Sequence, residues 1–338
     1  MRSTERLVVV GALALLVIIV AGQFCINLNV KTEYSVGYGP DGVSYDIDLG
    51  YVSNYSVVTF DDGGLGRNSE FVFCFDHKHV WYKSDDFIQN TLDHLARDME
   101  ERGLTLTVMD TKGVVNLMES DVDSGSSDTT VIFMTGSFPS EIYNGEEGCL
   151  LTEWLGIGGD LVWGSGPIGF NISTETECAP AENDPGTVLF GVEGAVNNGE
   201  SRTFDNVSYA GGLADMFRIY FSETTWGVQT GVSEDQLVTE YQTNGYSALS
   251  VTRYHGGSGS ITVFGGDVDN NVASYVAQFL ASGLGYSSEI TDCQMGIGKQ
   301  ASGTLNAPAS NTVVFLSIGL MNDNIVLYRN YGSVESVE

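Results

Sequence analysis

The sequence predicts an α/β fold. The expected core is an open, mostly parallel sheet with helices on both faces. β-hairpins are added at both ends, and an N-terminal transmembrane helix precedes them. Three observations carry this. Short continuous apolar runs recur, as strands buried on both faces require: EFVFCF at Glu70–Phe75, TVIFMT at Thr130–Thr135 and SITVF at Ser260–Phe264. Between them, apolar residues return at helical spacing. From Leu7 to Gly22 there is no charged or polar side chain.

The N-terminal run, extended through Phe24–Ile26, approaches the ~20 residues a membrane-spanning helix needs. Arg2 and Arg6 precede it, so the positive-inside rule keeps the N-terminus cytoplasmic and the rest of the chain outside. Residues 1–26 are therefore read as a single-pass anchor, with the lipid bilayer contacted through residues 7–26. A cleaved signal peptide is the competing reading, with Val20 and Gly22 as its small-residue site. Phe24 before Cys25 argues against lipidation. Asn54, Asn171 and Asn206 each begin an Asn-x-Ser triplet, the acceptor pattern for N-glycosylation in an exterior protein.

Asp and Glu total 44 against 14 Lys and Arg, a net charge of −30. Such a surface repels phosphate backbones, so nucleic acid is excluded as a partner. Its acids are scattered, as on a solvated surface. The five cysteines form no C-x-x-C pair, which removes zinc-ribbon and thioredoxin-type readings.

In chain order, VKTEYSVGY and VSYDIDLGY alternate around Gly-Pro-Asp-Gly and read as a hairpin or stalk within residues 27–66. The main domain spans 67–290. It opens with the Glu70–Phe75 strand. Ser84 with Asp85 and Asp86 starts a helix, Ile88, Leu92, Leu95 and Met99 form its inner face, and Gly103 stops it. Leu104–Met109 is a second strand, Val114–Met118 a short helix, and SDVDSGSSD an acidic loop. The Thr130–Thr135 strand follows, then a helix over Glu147–Leu155 and a strand at Leu161–Trp163. Residues 171–245 read as an insertion of mixed structure. Ser247–Arg253, Ser260–Phe264 and a helix from Asn271 to Ala281 close the domain. Residues 291–338 form a C-terminal β extension. Within it, Thr312–Ile318 and Ile325–Arg329 make a hairpin that can pair with the N-terminal one.

If the strand order begins 2-1-3-4, as in flavodoxin-like sheets, the ligand crevice opens beyond the carboxyl ends of the strands. Asp76, His77 and His79 then come from one side, and Gly136 and Ser137 from the other. Gly164, Ser165, Asp267 and His255 follow on later strands. His77 and His79 beside Asp76 have the donor types of a metal site, though a polar loop with two exposed histidines is the favoured reading. A Ser-His-Asp set would draw on Ser137 or Ser165, His77 or His255, and Asp76 or Asp267; geometry alone decides that. Asp267-Val-Asp269 begins like a calcium loop. It lacks the sixth-position Gly (Val272) and the closing Glu (Gln278), so a helix cap explains it better. Cys149 and Cys178, both placed at the carboxyl edge, are expected to form a disulfide, and Cys74 to be a core thiol.

Three segments carry a resemblance: the strand–helix–strand from Glu70 to Asp110, the run from Thr130 to Gly166, and HGGSGSITVFGGDVDNNVASYVAQFL. Residues 70–283 resemble the class I glutamine amidotransferase-like superfamily, nearest its trehalose-utilisation-type, non-amidotransferase members. The resemblance implies a strained Gly-x-Cys-x-Gly turn after the Leu161–Trp163 strand. Here Gly164 stands at the cysteine's position and Ser165 is one place late, with Trp163 and Pro167 where a serine elbow needs glycine. The family's His-x-Glu is replaced by His255-Gly-Gly. The implied protein has the fold without the amidotransferase reaction. It would be a cell-surface binding or accessory module, with an unidentified surface ligand or protein as partner and no cofactor. A surface hydrolase, metal-assisted or serine-based, acting on a glycan or peptide is the alternative.

Overall fold

The computed structural model describes residues 33–39, 42–61, 68–81, 84–164, 166–197, 205–206, 226–238, 241–243, 245–265, 270–282, 285–286, 289–306 and 312–319. The strands run in chain order β1 Glu33–Gly39, β2 Gly42–Asp61, β3 Glu70–Cys74, β4 Leu106–Met109, β5 Thr129–Phe133, β6 Phe138–Pro139 and β7 Asp160–Trp163. Next come β8 Asn171–Ser173, β9 Cys178–Pro180, β10 Asp205–Asn206, β11 Val228–Gln229, β12 Leu237–Val238, β13 Tyr241–Thr243 and β14 Tyr246–Ser247. The last are β15 Leu249–Arg253, β16 Ser260–Phe264, β17 Glu289–Leu305 and β18 Thr312–Gly319. The helices are α1 Asp85–Glu100, α2 Thr111–Ser124, α3 Leu150–Gly156, α4 Pro185–Phe190 and α5 Asn270–Ser282.

The central sheet has seven strands in the order β4-β3-β5-β7-β16-β15-β12. The first five are parallel. β15 is antiparallel to β16, and β12 antiparallel to β15. The sheet is thus mixed, because the turn between Arg253 and Ser260 is too short for a parallel crossover. Strand alternation divides the core. Phe71, Phe73, Ile132, Val162 and Phe264 pack with α1 and α5 on one face. Val72, Cys74, Val131, Phe133, Leu161, Trp163 and Val263 pack with α2, α3 and α4 on the other.

Local chemistry sets the helix ends. The Ser84 hydroxyl accepts from the Phe87 N–H at 3.2 Å and caps α1. Gly103 follows with φ +76°, where a side chain would be strained. Asp110 caps α2 by accepting from the Gly113 N–H at 2.8 Å. This helix runs further than the sequence suggests. The expected acidic loop is helical through Ser124 and ends at Gly125 in the left-handed region. Asp121 explains the difference. Its carboxylate accepts from Trp154 Nε1 at 3.0 Å and from Ser127 Oγ at 2.7 Å, tying α2 to α3.

A separate four-stranded sheet joins the two ends of the described chain. β2 pairs with β1 along its first half and with β18 along its second, and β17 lines its other side. Val43, Tyr45, Ile47 and Leu49 alternate inward there and meet Ala301 and Leu305. The expected turn and strand at residues 322–329 lie outside the described residues, as does the expected membrane segment 7–26. Among the described residues, no helix is long and apolar enough to cross a membrane. Residues 171–245 hold β8 and β9, which form a small sheet with β6, then β10, β11 and β13, which form another with β14, together with α4 and the edge strand β12 of the central sheet.

Asp121→Ala leaves the Trp154 indole N–H without its acceptor. It is expected to lower stability by about 1–3 kcal/mol, measured by chemical denaturation.

Candidate functional site

The carboxyl edge of the parallel strands is where an open α/β sheet presents its ligand. Among the described residues, the ends of β3, β5 and β7 are filled by the chain itself. After β3, Asp76 caps a 3-10 turn of His77–His79 by accepting from the Lys78 N–H at 3.1 Å. The turn sends the two histidines apart. His77 is exposed and its Nδ1 lies 2.8 Å from Asp85 Oδ2. His79 is only 3% exposed, and its Nδ1 lies 3.0 Å from Ser173 Oγ. Among the described residues, no group of three His, Cys, Asp or Glu side chains is placed to hold a metal.

Ser173 Oγ is the centre of a buried network. It lies 3.2 Å from Ser137 Oγ and 3.2 Å from the Phe138 carbonyl. Ser137 Oγ also donates to the His79 carbonyl at 3.1 Å, and Ser137 and Ser173 are both fully buried. The structure thus brings His79 and Ser137 together, with one correction. The imidazole meets Ser173, which the sequence reading missed, and Ser137 meets only the histidine's backbone. Hydroxyls with no exposed surface cannot reach a substrate. The network instead locks the turns after β3 and β5 to β8. Gly136, with φ +77°, offers its carbonyl to Asn171 Nδ2 at 3.4 Å. Asn171 is thereby half-buried, and the serine of its acceptor triplet is Ser173. Asn54 lies in β2 and Asn206 in β10.

At β7 the space a nucleophile would need is occupied. The Gly164 N–H donates to the Phe133 carbonyl at 2.9 Å. A Cβ on Gly164 would stand 3.0 Å from Met134 Cγ and 3.2 Å from its Cε, and Met134 is fully buried. Trp163 is 1% exposed. Its Nε1 donates to the Gly166 carbonyl at 2.9 Å, and its ring lies 4.4 Å from that of Phe138. Ser165 and Asp267 lie outside the described residues.

His255 does not belong to this edge. It sits in the β15–β16 turn, beside the amino ends of β7 and β16, where Ser260 pairs with Asp160. Its Nε2 lies 3.0 Å from the Val188 carbonyl. The sheet's reversal at β15 is the cause: an antiparallel neighbour delivers its end to the opposite edge. Asp160 secures that edge. It is 7% exposed and accepts from Ser260 Oγ at 2.5 Å and from the Asn68 N–H at 3.0 Å. An open cavity of about 470 Å³ lies here, walled by α4, residues 232–235 and the β15–β16 turn.

The expected Cys149–Cys178 disulfide is not formed; both are thiols. Cys149 stands at the N-cap of α3, turned into the core with Sγ 3.5 Å from Thr152 Oγ1. Cys178 opens β9 opposite Ser173. Cys74 is deeply buried, and burial pushes its thiol well above the ordinary range, followed by the charges of Asp76 and Asp110. Burial also acts to raise the Asp76 pKa. Hydrogen bonds from the Lys78 N–H and from Thr111 outweigh it and hold the carboxyl below its usual range.

No family model matches the chain, and no curated protein matches it. Two of the solved structures that show a distant likeness are β-galactosidases. One is a polyextremophilic β-galactosidase from the Antarctic haloarchaeon Halorubrum lacusprofundi. It is 15% identical, with a TM-score of 0.41, over 65% of this chain and 31% of that one. The other is Gan42B, a GH42 β-galactosidase, 14% identical with a TM-score of 0.37, over 79% of this chain and 39% of that one. The chain therefore spans well under half the length of either. TM-scores below 0.5 carry neither fold nor activity across.

Two outcomes are expected. Gly164→Cys, which restores a thiol where the resemblance places one, crowds Met134. It should cost about 1–3 kcal/mol and yield no glutaminase activity, read by denaturation and ammonia release. A folded-state pKa below the unfolded one makes the Asp76 contribution complete above the ordinary carboxylate range. That contribution is lost as pH falls through the lowered value. The stability difference between the native protein and Asp76→Asn should therefore shrink as the solution is acidified below about pH 4.

Proposed function

We propose that this chain is a membrane-anchored, extracytoplasmic domain of flavodoxin-like, amidotransferase-like architecture. It acts as a cell-surface binding or accessory module and not as an amidotransferase. The observation that carries the reading is the filled carboxyl edge: Met134 occupies the space beside Gly164 on one face of the sheet, and Trp163 is buried on the other with its Nε1 on the Gly166 carbonyl. The order β4-β3-β5-β7-β16 supports the architecture, since it follows the 2-1-3-4-5 arrangement of flavodoxin-like sheets. The charge-free run from Leu7 to Gly22 behind Arg2 and Arg6 supports the anchor. The net charge of −30 keeps such a surface apart from anionic polymers.

The alternative is a surface hydrolase acting on a glycan or peptide. The two β-galactosidases name a glycan, at TM-scores that lend it no weight, so galactosides belong in the test. Membrane fractions washed with high salt and carbonate should retain the full-length protein; release into the medium would contradict the anchor. The detergent-purified protein should turn over none of a panel of galactosides, peptides and esters, with or without added zinc. Turnover that Ser137→Ala or His79→Ala abolishes, in a variant still folded, would establish the hydrolase instead.

A further inference from the structure

The amino-edge cavity has a chemistry of its own. Three separated pieces of chain build it: the end of α4 at Phe190, residues 232–235, and the turn from Arg253 to Gly257. Each piece is held. Asp184 caps α4 by accepting from the Thr187 N–H at 2.8 Å. Gln236 fastens the 232–235 segment, with its Oε1 accepting from the Gly231 N–H at 2.6 Å and its Nε2 donating to Ser250 Oγ at 2.8 Å. The turn closes through the Tyr254 N–H on the Gly259 carbonyl at 2.8 Å. The Gly259 N–H in turn donates to the Leu155 carbonyl at 2.9 Å.

Charged groups of both signs line this one cavity. Arg253 comes from one wall, and Glu234 and Asp235 from another. Arg253 is fixed in place. Its Nε donates to the Gly257 carbonyl at 3.1 Å, and its guanidinium lies 6.0 Å over the Tyr286 ring. That leaves its two terminal nitrogens, the pair suited to bidentate carboxylate recognition. Among the described residues, neither they nor the carboxylates of Glu234 and Asp235 form a hydrogen bond or ion pair with one another. Opposite charges brought to one cavity by separate pieces of chain, and not bridged to one another, complement a ligand that carries both signs.

We propose that the cavity binds a small zwitterion of the amino-acid type. Its carboxylate lies on Arg253, and its ammonium on Asp235 and Glu234. The charge balance selects this class. A lone guanidinium beside two carboxylates, on a chain of net charge −30, disfavours a purely anionic ligand. The polar walls disfavour an apolar one. The volume of about 470 Å³ suits a free amino acid or a dipeptide. The proposal deepens the reading of this chain as a binding module and rests on it.

The test uses the full-length protein in detergent and calorimetric titration with free amino acids, their methyl esters, their N-acetyl derivatives and neutral monosaccharides. The predicted result is saturable binding of at least one free amino acid without turnover. Removing its carboxylate or its ammonium should weaken binding at least tenfold. Arg253→Gln and Asp235→Asn should each do the same while both variants remain folded by circular dichroism, Arg253→Gln giving up no more than its exposed contacts with the Gly257 carbonyl and the Tyr286 ring. Binding of no amino acid, binding indifferent to both variants, or binding of sugars alone would overturn the proposal. Turnover of the bound molecule would leave the site standing and overturn the non-catalytic reading, so the two failures are distinguishable.

Discussion

Burial of four parallel strands on both faces is the constraint from which the rest of this structure follows. A strand covered on one side alternates apolar and polar residues. One covered on both must be apolar throughout and must find helices above and below. The strands β3, β5, β7 and β16 meet that demand with side chains assigned alternately to two clusters. Each fully buried aliphatic or aromatic side chain contributes roughly 1.5–3 kcal/mol, so the two clusters dominate the stability of the domain. They also extend to the ends of the strands. Met134 continues the first cluster past β5; Trp163, at the very end of β7, and Phe138 and Tyr143, beyond β5, continue the second. The carboxyl edge is closed because the core does not stop where the strands do.

The same constraint explains what the sequence made legible. Glu70–Cys74, the face Ile88, Leu92, Leu95 and Met99, and Asp160–Trp163 were readable because periodicity and capping are local properties. The Ser84 cap and the Gly103 stop needed nothing beyond neighbouring residues. Asp121 shows the limit. A run of Ser, Asp and Gly reads as a loop, yet Trp154, distant in sequence, supplies the indole N–H that holds Asp121 in a helix. Strand direction is a separate case. Ser247–Arg253 and Ser260–Phe264 look like two more strands of a parallel set. The six residues between Arg253 and Ser260 are too few for a parallel crossover, and the pairing shows the reversal that carries His255 to the far edge.

The candidate site divides in the same way. His79 and Ser137 were legible as chemistry-bearing residues at strand ends, and they do lie together. Ser173, which joins them, falls in a stretch with no periodicity to mark it, and Met134 reads simply as one more core methionine. What a residue's neighbours do to its exposure is a tertiary property. A hydroxyl and an imidazole 3.0 Å apart are a reactive pair in a cleft and a structural lock in a core. Burial decides between them here.

Oxidation of the methionines by dilute hydrogen peroxide tests the filled edge most directly, because sulfoxide formation follows exposure. Met295, 46% exposed on β17, serves as the internal reference, whereas Met134 is fully buried. Peptide mapping by mass spectrometry of the native protein should show Met295 oxidised while Met134 stays unmodified until the protein unfolds. Oxidation of Met134 at a rate comparable to Met295 in the folded state would mean that solvent reaches the space beside Gly164, and the closed edge would be wrong.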